Sequence, residues 1–202
     1  MNEIDQLLSR KPELAPCKSV IREAAHKLVE CFQQGNKLLL CGNGGSCADC
    51  EHIAGELVKQ FSRPRPLSPE LQEKLGPDLS RELHGGLPAL SLPSMIGFHT
   101  AFNNDDKPEY AFAQQVVAFG KPGDILLGIS TSGNSSNIIH AARAAKALNL
   151  RVISLTGASG GELAKIADYP ICAPAEDTPR IQELHLPIYH ALCQIVEDTL
   201  FS

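Results

Sequence analysis

Twice along the chain a short, uninterrupted apolar run passes through a loop of glycines or hydroxyl residues into a helical pattern. Lys37-Leu38-Leu39-Leu40-Cys41 enters Gly42-Asn43-Gly44-Gly45-Ser46 and then a helix over residues 47–61. Ile125-Leu126-Leu127-Gly128-Ile129 enters Ser130-Thr131-Ser132-Gly133-Asn134-Ser135 and then an alanine-rich helix over 136–148. A strand with no alternation of apolar and polar residues is buried on both faces, which requires helices above and below a parallel sheet. Residues 89–92, 152–155 and 169–173 provide three further short strands, with helical material over 94–102 and 110–119 between them. The pattern predicts a three-layer, doubly wound α/β domain with a five-stranded parallel sheet. A long N-terminal helix is expected over 16–34, where Val20, Ile21, Ala24, Leu28 and Cys31 recur at helical spacing. A long C-terminal helix is expected over 178–200, with Pro187 as a kink or first-turn residue.

The 202 residues amount to one domain of roughly 150 residues and about fifty more. The N-terminal helical segment, 1–34, and a segment over 62–88 rich in proline and glycine account for that excess, so a single domain spans 1–202. The 62–88 segment reads as a long loop with one short helix near 71–75. A net charge of -5 without a cluster of basic residues argues against nucleic acid or an anionic membrane as partner. Three tyrosines, seven phenylalanines and no tryptophan leave little material for stacking on bases.

The acidic start, Met1 to Asp5, has no signal-peptide character, and no apolar run is long enough for a membrane span. Seven cysteines, an odd number, read as free thiols in a reducing cytoplasm. Cys47 and Cys50 have CxxC spacing, but no second pair completes a four-thiolate zinc site.

In an open parallel sheet, ligands bind beyond the carboxyl ends of the strands, where both loops lie. The glycine loop lets backbone approach a ligand closely. Ser130, Thr131, Ser132 and Ser135 place four hydroxyls beside a helix N-terminus that favours an anion, and helix capping needs only one of them. Neither loop matches a dinucleotide or Walker signature, so a small phosphorylated molecule fits better than a nucleotide cofactor. His52 and Glu56 share one helix face just after the glycine loop, which is also the spacing of an ordinary surface pair. His185 and His190 lie on an apolar helix, and at least one of them reads as a core residue.

The glycine loop with His52 and Glu56, the serine loop, and the segment from Arg180-Ile181-Gln182-Glu183 to His190 together resemble the bacterial phosphoheptose isomerases. These are sugar isomerase (SIS) domain enzymes with a flavodoxin-like sheet that convert sedoheptulose 7-phosphate to D-glycero-D-manno-heptose 7-phosphate. The resemblance implies a homotetramer with active sites between subunits. It implies that Asn43, Gly44, Gly45, Ser46, Glu56, Asn104, Asp105, Ser130, Thr131, Ser132, Ser135 and Gln182 contact the sugar phosphate. Glu56 and His190 would be the acid/base pair, and His52, Glu56, Gln182 and His190 would hold one Zn2+ per subunit.

Aldose–ketose isomerisation needs two positioned proton carriers and no redox cofactor: Glu56 would move the carbon-bound proton, and His190 would move protons on oxygen. Gln182 and His190, however, lie about 12 Å apart along a straight helix. To share an ion they need Gln182 to precede the regular helix, a bend at Pro187, or ligands from neighbouring subunits. Two features depart from the family pattern, the longer 62–86 segment and Asp177-Thr178-Pro179 before Arg180. The main alternative function is a non-catalytic SIS-domain regulator that binds a protein such as the replication initiator DnaA. A sugar-phosphate sensor within a transcription regulator would need a helix-turn-helix module, for which 202 residues leave no room.

Overall fold

The computed structural model describes residues 3–201. Met1, Asn2 and Ser202, part of the acidic start and of the expected 1–202 domain, lie outside the described residues. Strands β1 (Leu38–Gly42), β2 (Ala89–Ser91), β3 (Ile125–Ile129), β4 (Arg151–Thr156) and β5 (Tyr169–Cys172) form one parallel sheet in the order β2-β1-β3-β4-β5. The strand order reverses between β1 and β3. Leu38 pairs with Ile125 and Gly42 with Ile129, so the two strands end level and release their loops side by side.

Every residue of β1 and β3 is buried. Leu38 and Leu40 of β1 enter one core with Ile125, Leu127 and Ile129 of β3. Leu39 and Cys41 enter the other core with Leu126. The first core is closed by α1 (Glu3–Arg10), α2 (Lys18–Gln33), α3 (Gly45–Val58) and α9 (Thr178–Leu200). The second is closed by α6 (Ala111–Phe119), α7 (Ser136–Ala147) and α8 (Gly161–Ile166). The continuous apolar runs thus serve two cores at once, through the two-residue period of a strand.

The expected helix over 16–34 starts later, at Lys18, after a tight 3-10 turn over Pro12–Cys17 that holds two prolines. Ahead of it, within the expected N-terminal helical segment of 1–34, lies α1 as a separate helix. It buries Ile4 and Leu7 and carries Glu3 and Asp5 in its first turn, where acidic groups suit the helix dipole. Helix α8 was not expected, because six residues are too few for a periodicity to register. The 62–88 segment is more helical than expected: α4 (Pro69–Glu82) starts at Ser68, whose Oγ accepts from the Leu71 amide at 3.3 Å. It is broken at Gly76, whose φ of 74° and ψ of 172° leave the helical region just before Pro77. No residue of α4 is buried, and Leu67 and Leu87 anchor the segment. The intervening α5 (Ile96–Asp105) also buries nothing. Helix α9 runs unbroken through Pro187, which stands well inside it and not in the first turn.

One fully buried ion pair ties the 62–88 segment to the domain. Arg65 Nε meets Glu197 Oε1 at 2.7 Å, both side chains being 0% exposed. The guanidinium also donates to the carbonyls of Leu57, at 2.5 Å, and Glu56, at 2.9 Å, satisfying acceptors that the end of α3 leaves open. Glu197 in turn accepts from the amides of Phe61, Ser62 and Arg63.

Candidate functional site

The two loops meet over the β1/β3 switch point. Gly44 takes φ 56° and ψ -121°, a conformation open to glycine, and swings the chain from β1 into α3. Asn43, Gly44 and Gly45 face solvent while Ser46 is buried, so a ligand at this loop meets backbone and the Asn43 amide and not the Ser46 hydroxyl. Asn43 exchanges two amide hydrogen bonds, each 2.9 Å, with Asn137 in the first turn of α7. Asn137 was not singled out in the sequence, because nothing local marks it.

In the serine loop, Ser130 is buried and its hydroxyl lies 3.0 Å from that of Ser135. Ser135 precedes the first turn of α7 but makes no side-chain cap. Ser132 Oγ accepts from the Asn134 amide at 3.1 Å, and the Thr131 hydroxyl lies 3.5 Å from that of Thr178. Gly133, at φ 66°, packs so tightly on the Gly160 carbonyl that a methyl group would overlap it. Beside this loop opens a cleft of about 550 Å³ lined by Thr131, Ser132, Asn134, Ser159, Glu176 and Ile181, among others. Ser159 and Glu176 were missed in the sequence, although the loops after β4 and β5 obey the same rule about strand ends.

A second polar cluster lies along the contact of α3 with α9. His52 Nε2 stands 3.2 Å from Glu56 Oε1, with the side chains 41% and 20% exposed. The ring of His190 sits 5.1 Å from that of His52, nearly perpendicular, and 5.4 Å from that of Phe61. His190 Nε2 is buried and has no hydrogen-bond partner. Burial and the neighbouring His52 hold the His190 imidazole below its ordinary pKa, which favours the neutral ring. The other histidine of this helix, His185, is the core residue: it is 0% exposed and its Nε2 donates to the Thr156 carbonyl at 3.1 Å.

Gln182 does not join that cluster. Its amide packs on Gly45 so closely that a methyl group there would strike Nε2. His190, eight residues on, packs beside His52, so α3 and α9 run side by side in the same direction. Gly45 and His52 are separated by about 10 Å along the α3 axis. Imidazole and carboxylate donors suit zinc, and His190 Nε2 is an orphaned buried atom facing no partner. Yet among the described residues no three His, Cys, Asp or Glu side chains converge to hold a metal ion. Within one chain the four implied ligands do not form a metal site.

Asn104 and Asp105 end α5, where the Asn104 amide donates to Asp105 at 2.8 Å. Asp105 lines a separate open cleft with Phe102, Lys107 and Tyr110. Glu56 lies eleven residues beyond Gly45 on α3, about 16 Å along its axis. One chain therefore presents its phosphate-type loops and its carboxylate–imidazole cluster as two distinct surfaces. Cys47 and Cys50 form no disulfide with each other, and none of the seven cysteines is bridged. No helix among the described residues is long and apolar enough to cross a membrane.

Known proteins share the fold. The model of the SIS domain family matches residues 2–84 and 85–157. A phosphoheptose isomerase from Aneurinibacillus thermoaerophilus is 44% identical over 182 residues, covering 90% of this chain and 82% of the relative. Another from Roseiflexus sp. is 45% identical over 178 residues, covering 88% and 81%. A solved phosphoheptose isomerase from Francisella tularensis superimposes with a TM-score of 0.78 at 32% identity, over 98% of this chain and all of that one. The chain belongs to the SIS domain family and, within it, to the phosphoheptose isomerases.

Proposed function

We propose that this isomerase converts sedoheptulose 7-phosphate to D-glycero-D-manno-heptose 7-phosphate through an enediol, with Glu56 and His190 as the proton carriers. The observation that carries this reading is that the Glu56 carboxylate, 3.2 Å from His52 Nε2, shares the α3/α9 surface with the buried, unpartnered Nε2 of His190. In the open-chain ketose, the Glu56 carboxylate takes a proton from C1, giving the enediol, and returns it to C2. Neutral His190 accepts the O1 proton and donates one to O2, so that the ketone becomes a hydroxyl and the C1 alcohol an aldehyde. Protons are conserved and no electrons leave the substrate. The phosphate is assigned to the hydroxyls and backbone N–H groups around Asn43, Gly44, Gly45, Thr131 and Ser132, at the N-termini of α3 and α7.

The separation of about 16 Å between the loops and Glu56 within one chain supports a homotetramer whose sites combine surfaces of neighbouring subunits. In that assembly Gln182, Asn104 and Asp105 would complete the sugar pocket. Zn2+ is proposed on the same terms, with His52, Glu56, Gln182 and His190 brought together from neighbouring subunits as the residues that would hold it; when bound, it would polarise the substrate carbonyl. The seven free thiols support a cytoplasmic location. The net charge of -5 supports a small-molecule substrate over nucleic acid or membrane.

Incubating the purified protein with sedoheptulose 7-phosphate and resolving the sugar phosphates tests the reading. The aldose should accumulate to an equilibrium mixture. No aldose at high enzyme, with and without added zinc, overturns it in favour of a non-catalytic regulator that binds a protein partner such as DnaA.

A further inference from the structure

Tyr189 and Asp49 have no part in the proton transfers above, yet they stand directly behind the residues that do. Tyr189 is 2% exposed, and its hydroxyl donates to Asp49 Oδ1 at 3.2 Å. The same oxygen lies 3.1 Å from His52 Nδ1. A phenol carries one proton, and here it is spent on Asp49, so towards His52 the oxygen can only accept. Nδ1 must then carry the hydrogen of that contact, and Nε2 faces Glu56 Oε1 at 3.2 Å with its lone pair, a contact that is attractive only when one proton lies between the two. The ring is further held edge-on by Tyr189, with centroids 5.5 Å apart, and by His190, at 5.1 Å.

Sequence spacing gives no hint of this arrangement, because Tyr189 reads as one more core residue of an apolar helix. A tyrosine that only filled the core could as well be phenylalanine. Its hydroxyl is needed only because two polar groups of α3, one turn apart, converge on it.

We infer that Tyr189, braced by Asp49, is a positioning residue that sets the tautomer and orientation of His52, so that Nε2 is presented to Glu56. Its kinetic consequence rests on the role proposed for Glu56; its consequence for the His52 tautomer does not. The tautomer matters because a neutral ring protonated on Nε2 would donate to the Glu56 carboxylate and blunt its basicity, whereas a ring protonated on Nδ1 can share a proton with Glu56 through Nε2.

Nitrogen-15 NMR of histidine-labelled protein reads the tautomer directly. In the wild type, Nδ1 of His52 should bear the hydrogen. In Tyr189→Phe, which keeps the ring and the packing, the Nε2-protonated form should grow, and kcat should fall about tenfold, the effect expected for one lost orienting hydrogen bond, with KM nearly unchanged. Asp49→Asn should act in the same direction, since an amide donor would turn the phenol proton towards His52. An identical His52 tautomer in the wild type and both variants overturns the inference, and so does unchanged kcat in a well-folded Tyr189→Phe. If the wild type fails to turn over sedoheptulose 7-phosphate, the functional reading fails, and the tautomer comparison alone decides this one.

Discussion

Asn43 and Asn137 exchange two amide hydrogen bonds, each 2.9 Å, across the point where the strand order of the sheet reverses. The pair ties the glycine loop to the first turn of α7, so the two proposed phosphate-binding elements keep one spacing. Asn137→Ala removes both bonds. At about 1 kcal/mol net for such bonds in an exposed setting, KM for the sugar phosphate should rise about fivefold with kcat held. Steady-state kinetics checks this, and an unchanged KM would mean the loops hold their spacing without the pair.

Glu56→Gln keeps the shape of the side chain and removes its basicity. Turnover of sedoheptulose 7-phosphate should fall by about 10²–10⁴, and His190→Gln should fall comparably, with helical content unchanged by circular dichroism. Because both act in the same proton cycle, the double variant should lose little more than either single one. Near-normal turnover by either single variant removes that residue from the reaction.

The Arg65–Glu197 pair is 0% exposed on both sides. Arg65→Met leaves the Glu197 carboxylate with only the amides of residues 61–63 and the Ser62 hydroxyl, without a cation, and uncaps the last turn of α3. We expect a loss of about 3 kcal/mol in urea unfolding. Since the guanidinium also holds the Glu56 carbonyl at 2.9 Å, kcat should drop as well. Stability within a few tenths of a kcal/mol of the wild type would show that the pair anchors nothing.

His185 predicts a loss of stability in acid. Burial lowers its pKa to about 4, against its Thr156 hydrogen bond, which raises it. As pH falls from about 6.5 towards 4, the unfolded chain binds a proton that the native imidazole refuses, so the native state loses up to about 3 kcal/mol. Above that window both states are neutral and the residue contributes no slope. His185→Gln keeps a donor for the Thr156 carbonyl without titrating, and it should flatten the slope between pH 6.5 and 4. Denaturant midpoints across that range check it, and equal slopes for both proteins would refute it.

Much of this protein is local information. Apolar runs with no polar interruption, followed by glycine or serine loops and helical periodicity, can be satisfied only by a parallel sheet covered on both faces. The same runs place both loops at strand ends, and the i, i+4 spacing puts His52 and Glu56 on one face. What those signals report is which side of an element a residue occupies, and they are silent on which residue of one element meets which residue of another. Asn43 finds Asn137 at a separation of 94 residues, and His52 finds Tyr189 at 137. Only the packed register of α3 on α9 sends Gln182 to Gly45 and His190 to His52, separating two residues that share a helix and dividing an implied set of metal ligands. The physical reason is that helix registry is decided by side-chain interdigitation summed over the whole contact, a long-range property that no window of the sequence contains.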